Sequence, residues 1–106
     1  MSDDLDDFLK NYFTHRARAK AMEFGLTGEA EESKRLTARL DFLDYCVELL
    51  GEHDKEKQEL LQMVYFKRCS LRNYARLKHV ARGTANNRKK AAIKALAVLF
   101  NSKVSQ

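Results

Sequence analysis

Leu5, Phe8, Leu9, Tyr12 and Phe13 open the chain at helical spacing, and the pattern continues less regularly through Ala17, Ala21, Met22 and Phe24. This predicts one amphipathic helix over about 5–24, stopped by Gly25. Thr27, before Gly28 and Glu29, is a candidate N-cap for a second helix, with Glu29, Glu31 and Glu32 in the first turn where the helix dipole favours carboxylates. Its apolar stripe is Leu36, Leu40, Leu43, Val47 and Leu50, spaced by steps of four and three, and Gly51 reads as its C-cap. Such a stripe fits the inward face of a bundle helix, or a seam for self-association spanning barely two heptads.

A third helix is expected from its N-cap Asp54 to about Arg68, with Leu60, Leu61, Val64 and Tyr65 inward. Ser70 then caps a short helix, Leu71 to Leu77, whose apolar positions Leu71, Tyr74, Ala75 and Leu77 face the core. Lys78, His79 and Val80 form a tight turn, with His79 in the left-handed region and Val80 pointing inward. A last helix runs from about Arg82 to Phe100 and buries Ala85, Ala92, Ile93, Leu96, Leu99 and Phe100. The predicted fold class is all-α, a helical N-terminal hairpin over 1–51 followed by a helix-turn-helix region over 52–106.

Composition supports this. Proline is absent, glycine occurs only four times, and 106 residues suffice for one core or one core with a protruding arm. No apolar run approaches the roughly 18 residues of a membrane span, and the acidic start, Asp3, Asp4, Asp6 and Asp7, reads as a flexible tail rather than a basic leader. The expected location is the cytoplasm. Cys46 and Cys69 lack the spacing of a zinc site and read as reduced, partly buried thiols.

Charge changes the picture. From Leu60 to Gln106 there are 11 Lys and Arg residues and no Asp or Glu, so every carboxylate side chain lies in the first 59 positions. This asymmetry points to a polyanion partner, because each cation placed on a phosphate releases condensed counterions and adds affinity. The acidic half could also fold back and screen the basic one. Catalysis has little support. His15, His53 and His79 lie in separate segments without a nucleophile arrangement, no glycine-rich phosphate loop occurs, and no cofactor or metal is expected. Tyr12, Phe13, Phe42, Tyr45, Tyr65 and Phe66 fall mainly on apolar stripes and read as core.

The stretch from Ser70 through Leu71, Tyr74-Ala75, His79 and Val80 to Thr84 resembles the helix-turn-helix of sigma factor region 4, and 57–66 is similar to the helix that precedes it there. With its short length and acidic helical N-terminal part, the chain resembles phage late-gene transcriptional activators of the RinA and ArpU kind. Three departures stand out: Ala81 at the usual Ser or Thr cap, His79 at the usual glycine, and Arg88 and Lys89 where an aliphatic anchor is normal. They weaken the first turn of the recognition helix by about 1 kcal/mol.

The resemblance implies that this helix enters the major groove, with Arg82, Thr84, Asn86, Asn87 and Lys90 opposite Ala85 and Ala92 and able to reach base edges. Arg72, Arg76, Lys78, Arg88 and Lys89 are then placed for phosphates. The expected function is a sequence-specific, non-enzymatic transcriptional regulator that binds double-stranded DNA, with RNA polymerase or another transcription factor, or a second copy in a homodimer, as further partners. Two alternatives stay open: a protein-binding antagonist or adaptor that keeps the helix-turn-helix shape, and a small terminase-like DNA packaging protein.

Overall fold

The computed structural model describes residues 2–25 and 30–104. The chain is all-α: α1 (Ser2–Lys10), α2 (Tyr12–Glu23), α3 (Ala30–His53), α4 (Lys55–Leu61), α5 (Leu71–Lys78) and α6 (Arg82–Val104), with a π-helical turn, Gln62–Phe66, extending α4.

The single helix expected over 5–24 is broken at Asn11, whose φ of −103° and ψ of 18° leave the helical region. Asparagine offers the backbone a local alternative, and here its Nδ2 donates to the Asp7 carbonyl at 2.9 Å. The break re-aims the apolar stripe. Leu5, Leu9, Tyr12 and Met22 are buried, but Ala19 takes the inward place expected of Ala17, and Phe24 is exposed. Gly25 ends α2 as expected, at a φ of 75° that favours glycine. Thr27 and Glu29 lie outside the described residues. Asp3, Asp4, Asp6 and Asp7 belong to α1 and not to a flexible tail.

α2 and α3 pack antiparallel through small residues at one end and charge at the other. Buried Ser33 donates its hydroxyl to the Ala19 carbonyl at 2.7 Å. Arg16 meets Asp41 at 3.0 Å and Asp44 at 2.6 Å, and the Tyr12 hydroxyl donates to Asp44 at 2.8 Å. The stripe Leu40, Leu43, Val47 and Leu50 is buried, with Leu36 partly so.

Gly51 does not cap α3; the helix continues to His53. The glycine is buried against α4, where an added Cβ would overlap the Gln58 carboxamide, which donates to the Val47 carbonyl at 3.4 Å. Its role is close approach. Asp54 then N-caps α4, accepting from the Lys57 amide at 3.2 Å. The helix expected to reach Arg68 ends sooner, because the wider π turn closes with the Lys67 amide donating to the Gln62 carbonyl at 2.8 Å and Arg68 turns to a φ of 54°. Tyr65 and Leu61 are buried, whereas Val64 is only partly so.

All six helices feed one core. Leu9, Leu40, Leu43, Leu60, Leu61, Tyr74 and Leu96 are its largest fully buried side chains, so residues before and after position 51 share a single apolar cluster. A fully buried leucine contributes about 1.5–3 kcal/mol by transfer alone. Truncating Leu61 or Leu96 to alanine also leaves a cavity, and costs about 2–5 kcal/mol.

Candidate nucleic-acid interface

Ser70 starts α5 by accepting from the Asn73 amide at 3.1 Å, satisfying one of the orphan donors of the first turn. Tyr74 and Ala75 are buried and Leu71 packs against the core. Leu77, expected to face inward, is instead 63% exposed. At about 100° per residue it lies well off the face that Leu71, Tyr74 and Ala75 define.

The turn is built as the residues imply. His79 adopts φ 56° and ψ 44°, in the left-handed region. Its amide donates to the Arg76 carbonyl at 3.3 Å and the Val80 amide to the Ala75 carbonyl at 3.0 Å. Those two bonds make a Schellman motif, which satisfies carbonyls that the helix end would leave open. Val80 packs against the core and so fixes the direction in which the chain leaves the turn. α6 begins at Arg82, with the Ala85 amide donating to the Ala81 carbonyl at 2.9 Å. Alanine at that position offers no side-chain acceptor.

On α6 the small residues Ala85 and Ala92 are fully buried, whereas Arg82, Thr84, Asn86, Asn87 and Lys90 are all exposed. All five are therefore open to solvent; at about 100° per residue Asn86, Asn87 and Lys90 lie opposite the buried alanines, with Thr84 and Arg82 flanking them on either side. Arg72 and Arg76 are exposed on α5. Among the described residues, no carboxylate stands within ion-pairing distance of Arg72, Arg76, Arg82 or Lys90.

The other three cations expected on phosphates are engaged within the protein. Lys78 pairs with Glu59 of α4, and that hydrogen bond raises the pKa of its ammonium group. Arg88 Nε lies 3.3 Å from Glu56 Oε1, also on α4. Lys89 is half-buried, its ammonium 5.8 Å from the centroid of the Tyr65 ring. In the place of an aliphatic anchor, α6 thus carries two cations tied to its neighbours. Glu56 and Glu59 were not singled out from sequence. The signal was present, since Glu59 is the last carboxylate before the wholly basic stretch.

Tyr74 is fully buried beneath this contact. It lines a cavity of about 170 Å³ together with Asp54, Glu56, Lys57, Leu60, Arg88 and Ala91. Arg88 lines the same cavity, and the Tyr74 hydroxyl has no hydrogen-bond partner among the described residues.

Elsewhere, Tyr12 and Tyr65 are buried and Phe42 and Phe66 partly so, but Phe13 and Tyr45 are exposed and do not belong to the core as expected. Phe13 instead lies under the Arg68 guanidinium, 5.1 Å from its ring centroid. Cys46 is buried, which raises its thiol pKa, and Cys69 is partly buried; both are free. Among the described residues, no group of three or more His, Cys, Asp or Glu side chains could hold a metal ion. No described helix is long and apolar enough to cross a membrane. Comparison of the chain with protein-family models, with curated proteins and with solved structures finds no match.

Proposed function

We propose that this protein is a sequence-specific DNA-binding transcriptional regulator, with α5, the His79 turn and α6 acting as a helix-turn-helix. The observation that carries the reading is the sorting of side chains on α6. Arg82, Thr84, Asn86, Asn87 and Lys90 are all exposed, and Asn86, Asn87 and Lys90 lie on the face away from Ala85 and Ala92. An α-helix fits the major groove, where arginine pairs with guanine and asparagine with adenine, each good bidentate pair giving roughly 1–3 kcal/mol of discrimination. Arg72 and Arg76, without an ion-pair partner among the described residues, grip the backbone from α5. In this reading the protein acts in the cytoplasm, and phage or mobile-element genes are the expected targets through the resemblance to sigma region 4.

The test is selection of a preferred duplex from a random pool, followed by titration of Asn86→Ala/Asn87→Ala against the selected and a scrambled duplex. The double variant should lose most of the preference for the selected duplex and keep its affinity for the scrambled one. An unchanged preference rejects this base-reading assignment. Absence of binding by the native protein at low salt rejects the DNA-binding reading.

One observation favours the second reading, a protein-binding antagonist or adaptor. Leu77 is exposed between the cations Arg76 and Lys78, an apolar side chain that DNA backbone does not need. Leu77→Ala separates the two, since it leaves DNA affinity unchanged in the first reading and weakens capture of a protein partner in the second.

A further inference from the structure

Apart from Lys89, which lies against the Tyr65 ring, the cations expected on DNA divide into two sets, and the division follows α4. Arg72, Arg76, Arg82 and Lys90 have no carboxylate within ion-pairing distance among the described residues. Lys78, which closes α5 just before the turn, is held by Glu59. Arg88, next to Asn87 on α6, is held by Glu56. The two carboxylates lie three positions apart on one short helix, so they share a face, and that face meets both cations.

We propose that Glu56 and Glu59 set the DNA affinity of this protein by occupying Lys78 and Arg88 in the place of backbone phosphates. The inference rests on the DNA-binding reading and deepens it. A carboxylate paired with a guanidinium or ammonium offers the same charge-assisted acceptor as a phosphate oxygen. While α4 supplies it, the two cations release no condensed counterions when DNA docks, and they add nothing to sequence-independent binding. Base reading by Asn86 and Asn87 then carries a larger share of the total. The side chains of Lys78 and Arg88 are each 35% exposed, so loss of the carboxylate charge frees them for a phosphate without refolding. Neither pair is a large source of stability, because partly exposed ion pairs contribute little.

The experiment measures binding to a random duplex by fluorescence anisotropy across salt concentrations. It compares the native protein with Glu56→Gln/Glu59→Gln, with the same pair combined with Lys78→Gln/Arg88→Gln, and with Glu48→Gln/Glu52→Gln. The last variant removes the same charge from the exposed face of α3. Freeing two cations should steepen the dependence of log K on log salt by about two, and tighten binding on the order of tenfold at physiological salt. The quadruple variant should return to the native slope, and circular dichroism melts show that each variant is folded.

If Glu48→Gln/Glu52→Gln has the same effect, net charge is responsible and the proposal is overturned. It is equally overturned if Glu56→Gln/Glu59→Gln leaves the slope unchanged while the native protein binds. If neither the native protein nor any variant binds at low salt, the DNA-binding reading itself fails.

Discussion

The phenol of Tyr65 donates its hydroxyl proton to the carboxylate of Asp6, joining the first helix to the π turn across 59 positions of sequence. Asp6 also pairs with Lys10 at 3.1 Å, and Lys89 of α6 adds its positive charge. Burial pushes the Asp6 pKa up, but the hydrogen bonds from Tyr65 and Lys10 and the charges of Lys89 and Lys10 outweigh it, so the net shift is downward. A carboxylate lowered in the folded state stabilises it above the unfolded value of about 3.9, and that stabilisation is lost as pH falls through the lowered value.

The first prediction follows from this sign. Tyr65→Phe and Asp6→Asn should each cost about 1–2 kcal/mol at pH 7, the range for a hydrogen bond to a partly exposed charged group. For Asp6→Asn the difference from the native protein should shrink as pH is lowered below about 4. Urea denaturation at pH 7 and pH 3 reads both effects. The alkaline side has its own sign. Burial first, then the hydrogen bond to Asp6 and its charge, raise the Tyr65 pKa, so its contribution is complete below about pH 10 and falls as pH rises beyond that. A pH-independent Asp6→Asn difference would remove this account.

A second prediction concerns the turn. His79 holds a left-handed φ of 56°, a conformation that costs a residue with a Cβ roughly 1–2 kcal/mol relative to glycine. Glycine there also loses more chain entropy on folding, which returns part of the gain. His79→Gly should therefore stabilise the protein by about 0.5–1 kcal/mol, and His79→Val, whose branched Cβ fits the region worst, should destabilise it. Thermal melts of the two variants check the ordering. Stability equal in both would mean that the turn relaxes away from this geometry.

The parts of the fold legible in the sequence are those decided within one turn of helix. The caps Asp54 and Ser70 accept amides three residues on, and the Gly25 stop and the left-handed His79 depend on their own backbone angles. Features fixed by contact across the chain were not legible. Gly51 reads as a helix end until the Gln58 carboxamide is seen against it, and the inward stripe of α2 shifts from Ala17 to Ala19 once Asn11 breaks the helix. The candidate site divides in the same way. Exposure of Asn86 and Asn87 follows from their angular offset from Ala85 and Ala92 on a single helix. The engagement of Lys78 and Arg88 does not, because their partners Glu59 and Glu56 are brought to them by the packing of α4 and α5 against α6.

The last prediction tests that packing at its centre. Tyr74 is fully buried, yet its hydroxyl has no partner among the described residues, although Arg88 lines the same cavity. A buried hydroxyl without a hydrogen bond has lost its solvation without compensation, at about 1–3 kcal/mol, whereas a satisfied one contributes about 1 kcal/mol net. The two cases give opposite signs for Tyr74→Phe, which removes only the oxygen and leaves the ring filling the core. The geometry predicts that Tyr74→Phe is neutral to stabilising, by up to about 1 kcal/mol, because the hydroxyl it removes has no hydrogen-bond partner among the described residues. A loss of 1 kcal/mol or more in chemical denaturation would show instead that the hydroxyl is bonded in solution, through a realigned Arg88 or a bridging water. Arg88→Gln in the Tyr74→Phe background then distinguishes the two, since only a direct bond to Arg88 makes the two substitutions non-additive.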